Sequence, residues 1–108
     1  MSADAVFGAL ADPTRRRLLT LLDERGAASA TELARDLPVT RQAVVKHLTA
    51  LAEAGLVEGR REGRAVRFHP TPAPLSDAVG WMADVGAQWD DRLALLQSQL
   101  DGSRSGAR

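Results

Sequence analysis

The sequence contains no cysteine and no tyrosine, and only two tryptophans and two phenylalanines in 108 residues. Without thiols there are no disulfides, no thiolate metal sites and no cysteine nucleophile. That suits a reducing cytoplasm, which is the expected compartment. So few aromatic rings leave a modest core for a chain whose length fits one small domain, and burying a further face in a partner would help. Histidine is scarce as well. His47 and His69 fall in separate segments, with no second imidazole at helical spacing to build a zinc site. Asp84, Asp90 and Asp91 read as the solvated face of a helix. A glycine-rich phosphate loop and a nucleophile elbow are both missing. Neither an enzyme nor a cofactor or resident metal is expected. No run approaches the roughly 18 apolar residues that would cross a bilayer, and MSADAVFGALADPTRRR lacks the basic start and apolar run of a signal peptide. No membrane partner is expected.

Net charge is also missing, at +0, yet its distribution is uneven. Residues 40–67 hold six basic side chains (Arg41, Lys46, Arg60, Arg61, Arg64, Arg67) against three acidic ones, whereas residues 68–101 hold one basic against five acidic. The basic half is where nucleic acid would be met.

The stretch TELARDLPVTRQAVVKHLTALAEAGLVEGRREGRAVR, residues 31–67, organises the rest. Thr31 can cap a short helix starting near Glu32, with Leu33, Ala34 and Leu37 inward, before Pro38 stops it and Pro38-Val39 turns. Thr40 is a second cap. From there Val44, Leu48 and Leu51 recur at helical spacing until Gly55 closes the helix in a left-handed conformation. Thr40, Arg41, Gln42, Val45, Lys46 and Thr49 are left to meet a DNA major groove. Val57–Arg61 and Ala65–His69 then read as two strands around Glu62-Gly63, a basic hairpin carrying Arg60, Arg61 and Arg64. Two strands alone are marginal in water. Phosphate or minor-groove contact gives such a hairpin a reason to project, and a merely solvated tip is the alternative. The sum is a winged helix-turn-helix: mainly α with a small β-hairpin, in the order four helices, two strands, one helix.

Upstream, residues 3–10 form a first apolar helix, and Asp12 caps a second whose Leu18, Leu19, Leu21 and Leu22 face inward until Gly26. Arg15-Arg16-Arg17 lie at the unfavourable end of that helix dipole. They read either as a solvated turn paired with Asp12 or Glu24, or as phosphate contacts. Residues 27–30 read as a linker and Pro70–Pro74 as a stiff spacer.

Downstream, Leu75, Val79, Met82, Gly86, Trp89, Leu93, Leu96 and Leu100 repeat by fours and threes, a coiled-coil seam. At 1.5 Å per residue this helix runs roughly 39 Å. That is more than so small a domain covers, so a homodimer is expected. The alternative folds the helix back with Trp81 and Trp89 as core. Residues 1–100 thus form one domain with a dimerisation helix at about 75–100, and residues 101–108, DGSRSGAR, a disordered tail.

These residues resemble a family. Asp12-Pro13-Thr14-Arg15-Arg16, Thr31-Glu32-Leu33-Ala34, Arg41 through Leu48, Leu51, Glu53 through Val57 and Arg61-Glu62-Gly63-Arg64 are similar, in order and spacing, to the ArsR-type bacterial repressors. The resemblance implies a homodimer joined by its first and last helices. Val6, Phe7 and Leu10 would then join Val79, Met82, Gly86, Trp89, Leu93, Leu96 and Leu100 at the interface. It also implies repression of transcription until a signal releases the DNA; with no thiolate to bind a soft metal, a small organic ligand, a partner protein or a change in repressor concentration are all open as that signal. The long final helix with Trp81 and Trp89 is similar to a metal-independent subset, sometimes encoded beside START-like ligand-binding proteins. Two departures from the family pattern stand out. Leu33 and Arg35 occupy the places of the metal sensors' cysteine pair, and Val45 stands where serine is common, so a thymine methyl replaces a hydroxyl's partner. His47 matches the family's histidine, and packing or a hydrogen bond at the helix junction is expected of it rather than base reading. A competing function is a protein-interaction module that kept the winged helix without sequence-specific DNA binding; it would suit an acidic recognition face, and this one is basic.

Overall fold

The computed structural model describes residues 3–106. Its elements are α1 (Ala3–Leu10), α2 (Pro13–Arg25), β1 (Ala28–Ser29), α3 (Ala30–Arg35), α4 (Arg41–Glu53), β2 (Val57–Glu62), β3 (Ala65–Pro70) and α5 (Ala73–Gly106). Two compact units divide between Ala78 and Val79. The first is the winged helix-turn-helix.

Its core follows from leucine spacing. Leu18 and Leu22 of α2, Leu33 of α3, and Val44, Leu48 and Leu51 of α4 are fully buried and cluster with Val6, Leu37 and Leu56. No polar or charged side chain among the described residues is buried. Thr40 caps α4 as expected, its hydroxyl accepting from the Ala43 N–H at 3.1 Å. Gly55 follows with φ +76°, a conformation that costs glycine no Cβ clash.

Several boundaries differ from the sequence reading, each for a local reason. Ser29, not Thr31, caps α3. Its hydroxyl accepts from the Glu32 N–H at 3.2 Å, and the Glu32 carboxylate accepts from the Ser29 N–H at 3.4 Å, a reciprocal S-x-x-E capping box two residues earlier than the expected cap. That cap turns the supposed linker into structure. Ala28 and Ser29 form β1, antiparallel to β3 with Ala28 opposite Phe68 and Ser29 opposite Arg67, so the hairpin becomes a three-stranded sheet of order β1-β3-β2. The wing turn is Gly63-Arg64, one residue later than expected, because Glu62 pairs with Ala65 and Gly63 takes the positive φ at the first position of the two-residue loop. Pro70 belongs to β3, and α5 starts at Ala73, where Pro74 is tolerated because first-turn N–H groups have no helical acceptor. Val6, assigned to the interface, lies in the core at 1% exposure, since α1 turns Val6 and Ala9 inward on one face; Phe7 and Leu10 stay partly exposed. The Arg15–Arg17 run makes no ion pair with Asp12 or Glu24 among the described residues. Arg16 instead donates to the carbonyls of Leu10 (2.6 Å) and Ala11 (3.4 Å), a cation at the end of α1 where the helix dipole favours one.

In the second unit the helix continues to Gly106, past the Asp101 at which an irregular tail was expected, because extending a formed helix fixes one residue per added bond and no proline intervenes. Residues 107–108 lie outside the described residues. Trp89 is 56% exposed, with the Arg92 guanidinium 5.6 Å from its ring centroid, and Trp81 is 52% exposed; neither is core.

The capping box makes a sharp expectation. Ser29→Ala should cost about 1 kcal/mol, as N-cap losses do, while Thr31→Ala should stay within about 0.5 kcal/mol, as at ordinary surface sites; urea midpoints of the two variants, measured side by side, check this.

Candidate nucleic-acid interface

Burial of Val44, Leu48 and Leu51 turns the other side of α4 outward. Arg41, Gln42, Val45, Lys46 and Thr49 are exposed together there, as the sequence predicted. They are not equally free. The Arg41 Nε donates to the Thr31 Oγ1 at 3.0 Å, so its guanidinium leans toward the start of α3. Thr49 donates to the Val45 carbonyl at 2.9 Å, which leaves its hydroxyl only as an acceptor. Gln42 and Lys46 have no such tie among the described residues. His47 is half-buried and receives a hydrogen bond from the Arg15 Nε to its Nδ1 at 3.3 Å, the junction role expected of it. Beside it, burial alone would raise the Asp12 carboxyl. The N–H groups of Thr14 and Arg15, with the neighbouring His47 and Arg15 side chains, outweigh that and hold it below the usual range.

Strand alternation sorts the wing's arginines. Arg61 lies opposite Val66, on the sheet face that also carries Gly59 and Phe68; Arg60 lies opposite Arg67, on the face that carries Glu58, Glu62 and His69. The second face is a ladder of pairs. Arg60 meets Glu58 at 3.3 Å, and Glu62 meets Arg67 at 3.4 Å and His69 at 2.8 Å. Arg67 also holds Glu32 of α3 at 2.8 Å and the Ala27 carbonyl at 3.0 Å. Counted with the basic residues in the sequence, Arg67 is the bolt between wing and helix. Arg61 and Arg64 make no ion pair among the described residues. Of the wing's three arginines assigned to DNA, Arg60 is therefore the one already engaged in an ion pair, and period-2 alternation counted back from Gly63 separates it from Arg61.

Between α4 and the wing runs a slot of about 510 Å³ lined by Thr31, Arg41, Val45, Arg64, Val66 and Phe68, among others. Val45 and Val66 stand 37% and 43% exposed at its sides. Thr31, read from sequence only as a helix cap, and Val66 were not assigned to this face by sequence reading. Val66 could have been, because an apolar residue two places before an inward Phe68 must share its face.

The helix-turn-helix domain family matches residues 10–60. The HTH-type transcriptional regulator YuzN of Bacillus subtilis (strain 168) is 46% identical over 86 residues, covering 73% of this chain and 94% of that one. The transcriptional repressor SdpR of the same organism is 30% identical over 88 residues, covering 82% and 97%. An ArsR-like transcriptional regulator from Rhodococcus sp. RHA1 superposes with a TM-score of 0.78 at 44% identity, covering 89% of this chain and 90% of that structure. The chain belongs to the ArsR family. It is a DNA-binding transcriptional regulator and not an enzyme. Within this ArsR-type chain the absence of cysteine sets it apart from thiolate-based sensing, and no described helix is long and apolar enough to cross a membrane.

The pin between wing and helix depends on pH. The Ser29 side chain first, then its N–H, and then the Arg67 guanidinium hold the Glu32 carboxyl below its ordinary value near 4.5, against a smaller upward push from burial. A depressed carboxyl stabilises the fold above that ordinary value and stops doing so as pH falls through its folded value. Glu32→Gln keeps the capping geometry and removes the charge. The variant should be less stable than the parent at neutral pH, and the gap should close as pH drops below about 4.5; urea unfolding from pH 7 to pH 3 reads it.

Proposed function

We propose that this ArsR-family regulator is a homodimeric repressor acting in the cytoplasm. It binds a pseudo-palindromic operator with one α4 per half-site in major grooves about 10 base pairs, or a multiple, apart. The observation that carries this reading is the outward face of α4, whose Gln42, Val45 and Lys46 are exposed and without intramolecular ties among the described residues. Gln42 and Lys46 can read purine edges and Val45 a thymine methyl. Repression is supported by SdpR, whose name describes it as a repressor. The apolar ridge of α5 supports the dimer. Val79, Met82, Trp89, Leu93, Leu96 and Leu100 are each about half exposed, an apolar stripe of the kind that marks a protein–protein interface. Since the chain has no thiolate, its releasing signal is a small organic molecule or a partner protein rather than a soft metal.

Selection of bound duplexes from a random pool tests the repressor reading. A pseudo-palindrome should emerge, Gln42→Ala should change the preferred bases, and Arg61→Ala should weaken all sequences with a salt slope shallower by about one, more than Arg60→Ala does. Protein that retains no sequence at physiological salt over random DNA would refute it.

The ridge is tested separately. Leu93→Glu with Leu96→Glu would place unpaired charge in the interface, a cost of several kcal/mol. Sedimentation should then show monomer, and operator binding should fall with it; a variant that stays dimeric moves the interface elsewhere.

A further inference from the structure

The slot between α4 and the wing has a two-sided chemistry that goes beyond base reading. Arg41 and Arg64 supply guanidinium groups, while Val45, Val66 and Phe68 make its walls apolar. One DNA strand has that same alternation along its length, phosphate then deoxyribose. An element entering the major groove beside a wing in the neighbouring minor groove must straddle the strand between them. Arg41 is also pre-set for the task, because its Nε is spent on the Thr31 hydroxyl at 3.0 Å, leaving its two terminal nitrogens to present as a fork.

We infer that the slot seats one sugar–phosphate strand of the operator. Arg41 and Arg64 hold two phosphates of that strand, Val66 and Phe68 on the wing side pack on the deoxyribose between them, and Thr31 is the positioning residue that aims Arg41. Arg41, placed by sequence among the base-reading residues, then fixes register, and sequence is left to Gln42, Val45 and Lys46. The inference rests on the DNA-binding reading above and can fail without it.

The experiment is a methylphosphonate scan, neutralising one phosphate at a time in a selected duplex, with binding of the full chain followed by fluorescence anisotropy. In the parent, two nearby phosphates on one strand of each half-site should each lose about tenfold on neutralisation, the size of a charged hydrogen bond. In Arg41→Ala the loss at one of them should shrink below about twofold, and in Arg64→Ala the loss at the other, with the preferred bases unchanged in both. Thr31→Val should reproduce part of the Arg41→Ala pattern and Thr31→Ser should restore it, a rescue that a general effect on folding would not give. On random duplex, where no register exists, Arg41→Ala and Arg64→Ala should each lower the salt slope by about one. An Arg41→Ala that shifts base preference while its phosphate profile matches the parent, or two sensitive phosphates on opposite strands, overturns the clamp; loss of all sequence preference in the parent overturns the repressor reading instead.

Discussion

Three side chains on α4 decide most of what this molecule can do. Val44, Leu48 and Leu51 have no exposure at all, and fully burying an aliphatic side chain stabilises by about 1.5–3 kcal/mol. A surface ion pair contributes about 0–1 kcal/mol, so no polar contact on the opposite face competes in setting the rotation of this helix. At 3.6 residues per turn, fixing positions 44, 48 and 51 inward fixes 42, 45, 46 and 49 outward. The reading face is therefore held by the core and not by its own residues. Substitutions on it leave the buried contacts that orient the helix untouched.

The wing has a smaller apolar anchor, Val57 and Phe68 at its base, and is held in other ways as well. Two strands with their outer positions exposed would be marginal. β1 adds a third strand at the base, and Phe68 packs on the core over Gly59, where a Cβ would stand 3.2 Å from the Phe68 ring. Arg67 then ties β3 to Glu32 of α3 and to the Ala27 carbonyl. Its guanidinium is half-buried, which lifts these contacts above the usual surface pair. Glu32 serves twice, capping α3 and holding Arg67. One carboxylate thus links the start of α3 to the wing.

What sequence could and could not convey divides along physical lines. Strong periodicity and caps survived intact: Thr40, the 44-48-51 stripe and Gly55 were legible because each is a local rule with no nearby competitor. Thr31 failed because Ser29 stands two residues earlier with Glu32 at the reciprocal spacing, and two candidate hydroxyls cannot be ranked without the backbone they cap. β1 was illegible, since two residues carry no period and their pairing is to a strand about forty positions away. The role of Arg67 was hidden for the same reason; a basic residue in a basic segment says nothing about a partner thirty-five positions distant. His47 shows the converse. Its place at the helix junction was legible because position 47 adjoins the buried stripe, between Val44 and Leu48.

The division of the arginines explains how a chain of zero net charge can bind a polyanion. In the first unit Glu58, Glu62, Glu32 and Asp36 are matched to Arg60, Arg67 and Arg25, so much of the acidic charge near the wing is neutralised locally. Lys46, Arg61 and Arg64 are left without ion pairs among the described residues, and Arg41 is held by a neutral hydroxyl. Under the proposed reading it is this unmatched set that DNA meets, since paired charges largely cancel at distances beyond a Debye length of about 8 Å. The ridge of α5 follows a similar logic of surplus. Outside the seam, Trp81 and Leu95 are 52% and 62% exposed, each two positions beyond a seam residue and so off the two positions per heptad that a two-helix coil covers. Under the proposed dimer the seam itself is what a second α5 covers.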